Sequence, residues 1–449
     1  MKKKLSIALA AAIAPAAVLP IANTPAPHSP LPAASAQPLG AVIPEATEPL
    51  APGDDEEADA EAEDEPHYPD PRDKAPNTDN CPNATLPPEA VSTSERIAPG
   101  APTPTPLPVD YDGPCGIIAP DKFKVSDKVL ATAWLVADPD TGDVIAMKDP
   151  HGRYRPASII KVLLALVVID ELKLDQVVTV SEESAGQEGS AVGIGPNGKY
   201  SIDDLLHGLL MVSGNDAAHA LAQVLGGDEV TLRKVNEKAA ELGMKDTRAA
   251  SYSGLDAPGM STSAWDMGIA YSAAFKNPTF NKIVSTEMYP FPGYKDANGE
   301  DIPGFDVYND NQLYLNDPDG IGGKTGYTDD AKHTFVGALD RDGRRLMAIV
   351  LDTTIDKGRA WEQTQDLIHE AYKFSSDDAV ASLIDATAEP SNTGTPVTDA
   401  PDAGADSPGN AEDGALPWEG IAVFVGVVAL AGIGTWLSLA SAKKRRQRQ

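Results

Sequence analysis

The sequence predicts one mixed α+β domain, in which an antiparallel sheet is flanked by helices and one part is wholly helical. Two apolar strands joined by a turn come first, and three more strands follow residue 320. Between the two groups lies a block whose apolar residues recur at helical spacing. This order implies that the N-terminal and C-terminal strands share one sheet. We place the domain at residues 116–374.

The elements of this domain follow from local signals. Asp138-Pro139-Asp140-Thr141-Gly142 has the turn chemistry of a hairpin, so it joins strands at 132–137 and 144–147. Pro156 suits the first turn of a helix, and apolar residues on nearly all sides predict that this helix is buried. Further helices are predicted at 203–212, 216–225, 229–242 and 262–275. The last elements are strands at 322–327, 334–339 and 345–351, a hairpin turn at 340–343 and a helix at 357–374.

The N-terminus has the layout of a secretory signal peptide. Three lysines precede an apolar run over residues 5–22. Ala34-Ser35-Ala36 supplies the small residues that a signal peptidase needs, so we predict a signal peptide over residues 1–36 and cleavage before Gln37. An uncleaved anchor is the alternative.

The C-terminus has the pattern of a membrane span. Residues 421–442 carry no charge and are long enough to cross a hydrocarbon core of about 30 Å. The basic tail, residues 443–449, places the C-terminus in the cytoplasm, so a single-pass membrane protein with an extracellular globular domain is predicted. Leu416-Pro417-Trp418-Glu419-Gly420 resembles a sortase sorting signal in which Glu419 replaces the threonine. Covalent attachment to the cell wall is therefore the alternative.

The composition of the remaining chain is uneven. Residues 37–115 and 375–415 are rich in proline, alanine and acidic side chains, which predicts a disordered stalk and a disordered linker. The net charge of −31 argues against nucleic acid as a partner, since phosphate backbones are bound by basic patches.

The cysteine and histidine residues indicate whether a disulfide or a metal site is present. Cys81 and Cys115 are the two cysteines, and in an exported protein such a pair predicts a disulfide, with two free thiols as the alternative. No His-Glu-x-x-His or paired Cys-x-x-Cys motif occurs, so no metal site is predicted.

Ser158-Ile159-Ile160-Lys161 predicts a serine nucleophile with a lysine base. Because the two residues are three apart on a helix, their side chains share one face. A serine hydroxyl needs a base within hydrogen-bond reach, and the positive end of the helix disfavours a protonated lysine. The cation of Lys324 nearby would act in the same direction. We therefore expect Lys161 to be substantially neutral.

Ser213-Gly214-Asn215 stands between two predicted helices. A turn there can direct Ser213 to pass a proton to a leaving amine, and Asn215 to bind a substrate amide and orient Lys161. An ordinary helix N-cap is the alternative.

Lys324-Thr325-Gly326 lies on a predicted strand. Lys324 and Thr325 would bind a carboxylate, and Gly326 leaves room for an extended peptide to pair closely. Such a site suits removal of the last residue of a peptide. The alternative is a turn that begins an edge strand.

Together the three motifs resemble those of the serine-type D-alanyl-D-alanine carboxypeptidases, the low-molecular-mass penicillin-binding proteins. The resemblance covers about residues 132–374. It differs near Lys332, where the family usually has glycine. Other positions that follow the family pattern are Asn236-Glu237-Lys238-Ala239, Leu242-Gly243-Met244, Thr247, Ser253-Gly254-Leu255, Ser261-Thr262-Ser263-Ala264-Trp265-Asp266-Met267, Asn309, Asn311 and Leu313.

The resemblance implies a DD-peptidase/β-lactamase-like fold and acylation of Ser158 by a peptidoglycan stem peptide ending in D-Ala-D-Ala. D-Alanine would leave, and water would hydrolyse the acyl-enzyme. β-Lactams would acylate the same serine, no cofactor would be needed, and the backbone N–H groups of Ser158 and Tyr327 would form the oxyanion hole.

Two rival functions remain at this stage. A class A β-lactamase usually carries Glu-x-x-Leu-Asn between the second and third motifs, and that pattern does not occur here. A wall-binding protein without turnover is the other rival. Endopeptidase activity on cross-links also stays open.

Overall fold

The computed structural model describes residues 70–384. The predicted signal peptide, residues 37–69 of the predicted stalk, residues 385–415 of the predicted linker, the predicted membrane span and the basic tail lie outside the described residues. Within 70–384, no helix is long and apolar enough to cross a membrane.

This part of the chain contains two groups of strands with a helical block between them. The strands are β1 (Ile117–Ile118), β2 (Ala133–Ala137), β3 (Asp143–Lys148), β4 (Val177–Thr179), β5 (Lys199–Ser201), β6 (Met288–Phe291), β7 (Tyr294–Lys295), β8 (Asp301–Ile302), β9 (Phe305–Tyr308), β10 (Gly320–Thr328), β11 (Lys332–Arg341), β12 (Arg344–Thr353) and β13 (Ala381–Ser382). The α-helices are α1 (Lys161–Glu171), α2 (Glu182–Ala185), α3 (Ile202–Met211), α4 (Asn215–Leu225), α5 (Asp228–Glu241), α6 (Ala264–Phe275), α7 (Pro278–Val284), α8 (Gln312–Asn316) and α9 (Ala360–Ala371). Two short 3₁₀ helices are Ala157–Ile160 and Ser376–Asp378.

The main sheet joins the two ends of the domain, as predicted. Its strand order is β1-β3-β2-β12-β11-β10, every pairing is antiparallel, and β13 also pairs with β3. The central contact is β2 against β12, where Leu135 lies opposite Ile349. Strand β10, which carries the third motif, is therefore an edge strand.

Both faces of the sheet are buried. Successive side chains of a strand point to opposite faces, so Leu135 packs in the cluster beneath the helices, while Trp134 and Val136 pack on the side of α9. Each apolar side chain of this size contributes about 1.5–3 kcal/mol when fully buried. Helix α1 lies inside the larger cluster, and its residues from Lys161 to Val168 are buried, as predicted.

The structure corrects the expected domain boundaries at both ends. Residues 70–115 form neither helix nor strand, yet they lie against the domain instead of being disordered throughout the predicted stalk. A disulfide joins Cys81 to Cys115, and Arg153 donates to the carbonyl oxygens of Leu107 and Pro108. The proline-rich composition did not predict this arrangement, because Arg153, which holds residues 107 and 108, lies far from them in the sequence. At the other end, β13 extends the domain beyond residue 374.

Candidate active site

Ser158 lies in a strained turn directly before α1. It belongs to the 3₁₀ helix Ala157–Ile160, and α1 itself begins at Lys161. Ala157 has φ +49°, a left-handed conformation that costs about 1–3 kcal/mol outside glycine and persists only when neighbours hold it. Thr334 Oγ1 donates to Pro156 O at 2.7 Å, and Tyr271 donates to Ile159 O at 2.9 Å. The nucleophile turn is thus fixed from two directions.

Lys161 is fully buried, and its amine contacts three oxygen atoms. Nζ lies 2.8 Å from Ser158 Oγ, 2.7 Å from Asn215 Oδ1 and 2.6 Å from Ser253 O. The amide and carbonyl oxygens can only accept, so they take the two N–H groups of a neutral amine. The lone pair then remains for the Ser158 hydroxyl proton, which is the arrangement that a general base requires.

The surroundings of Lys161 favour that neutral form. Burial, and then the charge of Lys324, hold the pKa of Lys161 well below its ordinary value, against the opposing charges of Asp310 and Asp216. Burial also lowers the pKa of Lys324, and Asp310 opposes this shift. Two buried amines close together cannot both carry a proton without a large electrostatic cost.

The second motif occupies the break between α3 and α4. Ser213 is buried and has φ +64°, which ends α3 and reverses the chain. Gly214 is the N-cap of α4 without a side-chain cap bond, whereas the Asn215 amide donates to Glu188 O at 2.7 Å and accepts from Lys161. The Asn215 side chain therefore bonds the Lys161 amine and does not cap the helix. The role of Ser213 in proton transfer stays a prediction.

The third motif brings the edge strand against the nucleophile. A Cβ atom at Gly326 would lie 2.3 Å from Thr334 Oγ1 and 3.1 Å from Ser158 N, so only glycine permits this approach. Thr325 Oγ1 donates to Asp310 Oδ2 at 2.9 Å. Tyr327 follows on the same strand, opposite His333, and its predicted backbone contribution to the oxyanion hole stays a prediction.

A cavity of about 390 Å³ opens beside Thr325 and Gly326. His333 and Arg359 line it together with Asp310. Burial lowers the pKa of His333, and the charge of Arg359 lowers it further. The cavity therefore places a permanent cation next to the proposed carboxylate-binding residues.

Sequence reasoning assigned no role to several residues that the fold brings to this site. Ser253 and Asp310 lie within patterns that resemble the family, but neither pattern revealed a contact with Lys161 or Thr325. Arg359 carries no motif signal, because it is the N-cap residue of α9 and only the fold brings it to the cavity beside Thr325. Among the described residues, no cluster of histidine, cysteine, aspartate and glutamate could hold a metal ion.

The fold and these contacts define a class: a serine acyl-transfer enzyme with a buried lysine amine beside the serine hydroxyl. The D-alanyl-D-alanine carboxypeptidase family model matches residues 121–354. The D-alanyl-D-alanine carboxypeptidase DacB2 of Mycobacterium tuberculosis is 42% identical over 257 residues, which cover 56% of this chain and 86% of that protein. DacF of Bacillus subtilis is 31% identical over 244 residues, which cover 53% of this chain and 61% of that relative's length.

Solved structures agree with the sequence comparisons. A crystal structure of a Mycobacterium tuberculosis D-alanyl-D-alanine carboxypeptidase aligns with a TM-score of 0.55 at 39% identity, covering 59% of this chain and 99% of that one. A mutant of a Streptomyces DD-transpeptidase aligns with a TM-score of 0.51 at 26% identity, covering 54% and 98%. The chain therefore belongs to the D-alanyl-D-alanine carboxypeptidase family, and the predicted family and fold class are confirmed.

Proposed function

We propose that this protein is a serine D-Ala-D-Ala carboxypeptidase that trims peptidoglycan stem pentapeptides during remodelling of the cell wall. The supporting observation is the Lys161 amine, whose two acceptor-only partners leave its lone pair directed at Ser158 Oγ. Family membership supports the same reaction.

The reaction proceeds in two halves. Lys161 Nζ takes the hydroxyl proton as Ser158 Oγ attacks the carbonyl carbon of the penultimate D-alanine. The C–N bond then breaks, D-alanine leaves with a proton delivered through Ser213, and the acyl group stays on Ser158. Water attacks the ester with Lys161 as base and releases the shortened peptide. Overall one amide and one water give one carboxylate and one amine.

Substrate binding uses the edge strand. The stem peptide pairs with β10. Thr325 and Arg359, which line the adjoining cavity, hold its terminal carboxylate together with the buried Lys324 behind them. A β-lactam carries a carboxylate and a strained amide in a similar relation, so it acylates Ser158 by the same route.

The decisive measurement is release of D-alanine from a pentapeptide ending in D-Ala-D-Ala. We expect release by the wild type and none above background by Ser158→Ala, with equal thermal unfolding temperatures as the control for folding. Stable penicillin labelling of Ser158 without release would indicate an endopeptidase or a binding protein. Rapid penicillin hydrolysis would indicate a β-lactamase.

We also propose that the catalytic domain faces the cell wall from the outer side of the membrane, held by a single C-terminal span. The signal-peptide pattern, the apolar segment and the basic tail support this location. The Cys81–Cys115 disulfide suits an oxidising compartment outside the cytoplasm. Protease added to intact cells should remove the domain, and a protected domain would contradict the proposal.

A further inference from the structure

The turn that follows the catalytic edge strand is held by a distant part of the chain. Asp330, between β10 and β11, is buried, and its carboxylate accepts hydrogen bonds from residues 91–94. The backbone N–H groups of Val91 and Ser92 donate to Oδ1 at 2.6 and 2.8 Å, and the hydroxyl groups of Ser92 and Ser94 donate to Oδ2 at 2.7 and 3.0 Å. A buried carboxylate is costly unless it is bonded in this way. Burial raises the pKa of Asp330, but these bonds outweigh burial and lower it overall.

The N-terminal part of the described chain also supports Lys332, the residue at which this turn ends. Lys332 has φ +56°, a left-handed conformation that favours glycine. Its amine pairs with Asp352 Oδ1 at 2.6 Å. Asp352 Oδ2 accepts from Arg72 at 2.9 Å, and Arg72 also donates to the Asp352 carbonyl at 2.6 Å. Arg72 thereby supports the strained residue from the N-terminal side of the chain.

A third set of contacts with the N-terminal part of the described chain lies beside Ser158. Arg155, three residues before Ser158, donates to both carboxylate oxygens of Glu95 at 2.5 and 2.8 Å and to Pro88 O at 2.8 Å. Arg155 is itself buried, so this pairing is little screened by solvent. Residues Arg72–Glu95, which we call the strap, thus contact both sides of the catalytic cleft.

We propose that the strap is a positioning element of the active site, which holds edge strand β10 at its working distance from Ser158. Strand β10 has one ladder partner in the described part of the chain, so the sheet restrains it from one side only. Close packing of Gly326 on Ser158 N leaves little tolerance for movement. The family model matches residues 121–354, so the strap lies outside the matched region. This inference rests on the proposed function for the identity of the reaction, but not for the geometry.

A misplacement of about 1 Å can lower an enzymatic rate about a hundredfold, and a loosened turn should shift the strand by less. We therefore expect Ser92→Ala/Ser94→Ala, in the full-length chain, to lower kcat for D-alanine release roughly tenfold and to change KM less than about twofold. Asp330→Asn should have a similar effect. The variant that combines all three substitutions should have a kcat no lower than that of the slower of the two separate variants, because both variants break the same contact.

The control is Thr85→Ala, which removes an exposed hydroxyl from the same strap and should leave kcat unchanged. Thermal unfolding separates positioning from stability, with all rates measured far below the unfolding temperature. A lower unfolding temperature with unchanged kcat would overturn the proposal, and so would an equal loss in Thr85→Ala.

Acylation of Ser158 by a fluorescent penicillin keeps this inference separate from the proposed function. If the wild type releases no D-alanine, the proposed function fails, but acylation rates still test the strap. Slower acylation in the strap variants than in wild type would support it. Equal acylation rates in the wild type and the variants would refute it.

Discussion

The nucleophile and the edge strand face each other across the cleft but are held in different ways. Ser158 and Lys161 are three residues apart at the start of a helix that lies within the hydrophobic core. Strand β10 lies at the edge of the sheet, and contacts more than two hundred residues apart in sequence secure its turn. The comparison teaches that the pairing of Ser158 with Lys161 follows from local helix geometry, whereas the position of the substrate-binding strand depends on remote contacts.

The largest effect should come from a side chain that fills the narrow space between the edge strand and the nucleophile turn. Gly326→Ala would place a methyl group against Thr334 Oγ1 and Ser158 N, so the strand must move away from the nucleophile. We expect kcat/KM for D-alanine release to fall about a hundredfold. Gly186→Ala is the matched control, because a Cβ there meets its nearest neighbour at 3.4 Å and the rate should be unchanged. Full activity of Gly326→Ala would show that the strand has more freedom than its packing indicates.

An intermediate effect should appear in the pH profile, which links the two regions through charge. Lys161 acts as a base only when neutral, so the rate should rise with pH through its lowered pKa. Burial is the main cause of that lowering, and Lys324 on the edge strand is the next. In Lys324→Met the loss of one cation should raise the pKa of Lys161, which moves the rising limb of the penicillin acylation rate to higher pH.

The control for this shift is Lys295→Met, which removes a largely exposed amine paired with Asp301. Its rising limb should coincide with that of the wild type. If Lys324→Met also leaves the limb in place, the two amines are not electrostatically coupled.

The smallest effect should arise at the carboxylate-binding end of the strand. Asp310 accepts a hydrogen bond from the Thr325 hydroxyl and puts a negative charge beside the cavity that would receive a carboxylate. Asp310→Asn keeps an acceptor for Thr325 but removes the like charge. We expect KM to decrease about two- to fivefold, since partly exposed charge pairs are worth up to about 1 kcal/mol. An increase in KM would mean that Asp310 mainly orders Thr325.

Local signals predicted much of this domain from the sequence. Helical periodicity and turn residues placed the helix after Pro156, the break at Ser213-Gly214 and the final strand meander within a few residues of their bounds. These features depend on residues close together in the chain. The short β6–β9 and β7–β8 pairs were missed, because their strands are only two to four residues long and carry little alternation.

The sequence by itself identified the family through its three motifs. It also predicted that the side chains of Ser158 and Lys161 lie together, because residues three apart on a helix share one face. Only the tertiary structure showed that Ser253 O accepts from the Lys161 amine, that Asp310 and Arg359 line the cavity beside Thr325, and that Ser92 and Ser94 bind the Asp330 carboxylate. These contacts join residues far apart in sequence. Folding alone brings them within hydrogen-bond distance, and no local pattern encodes them.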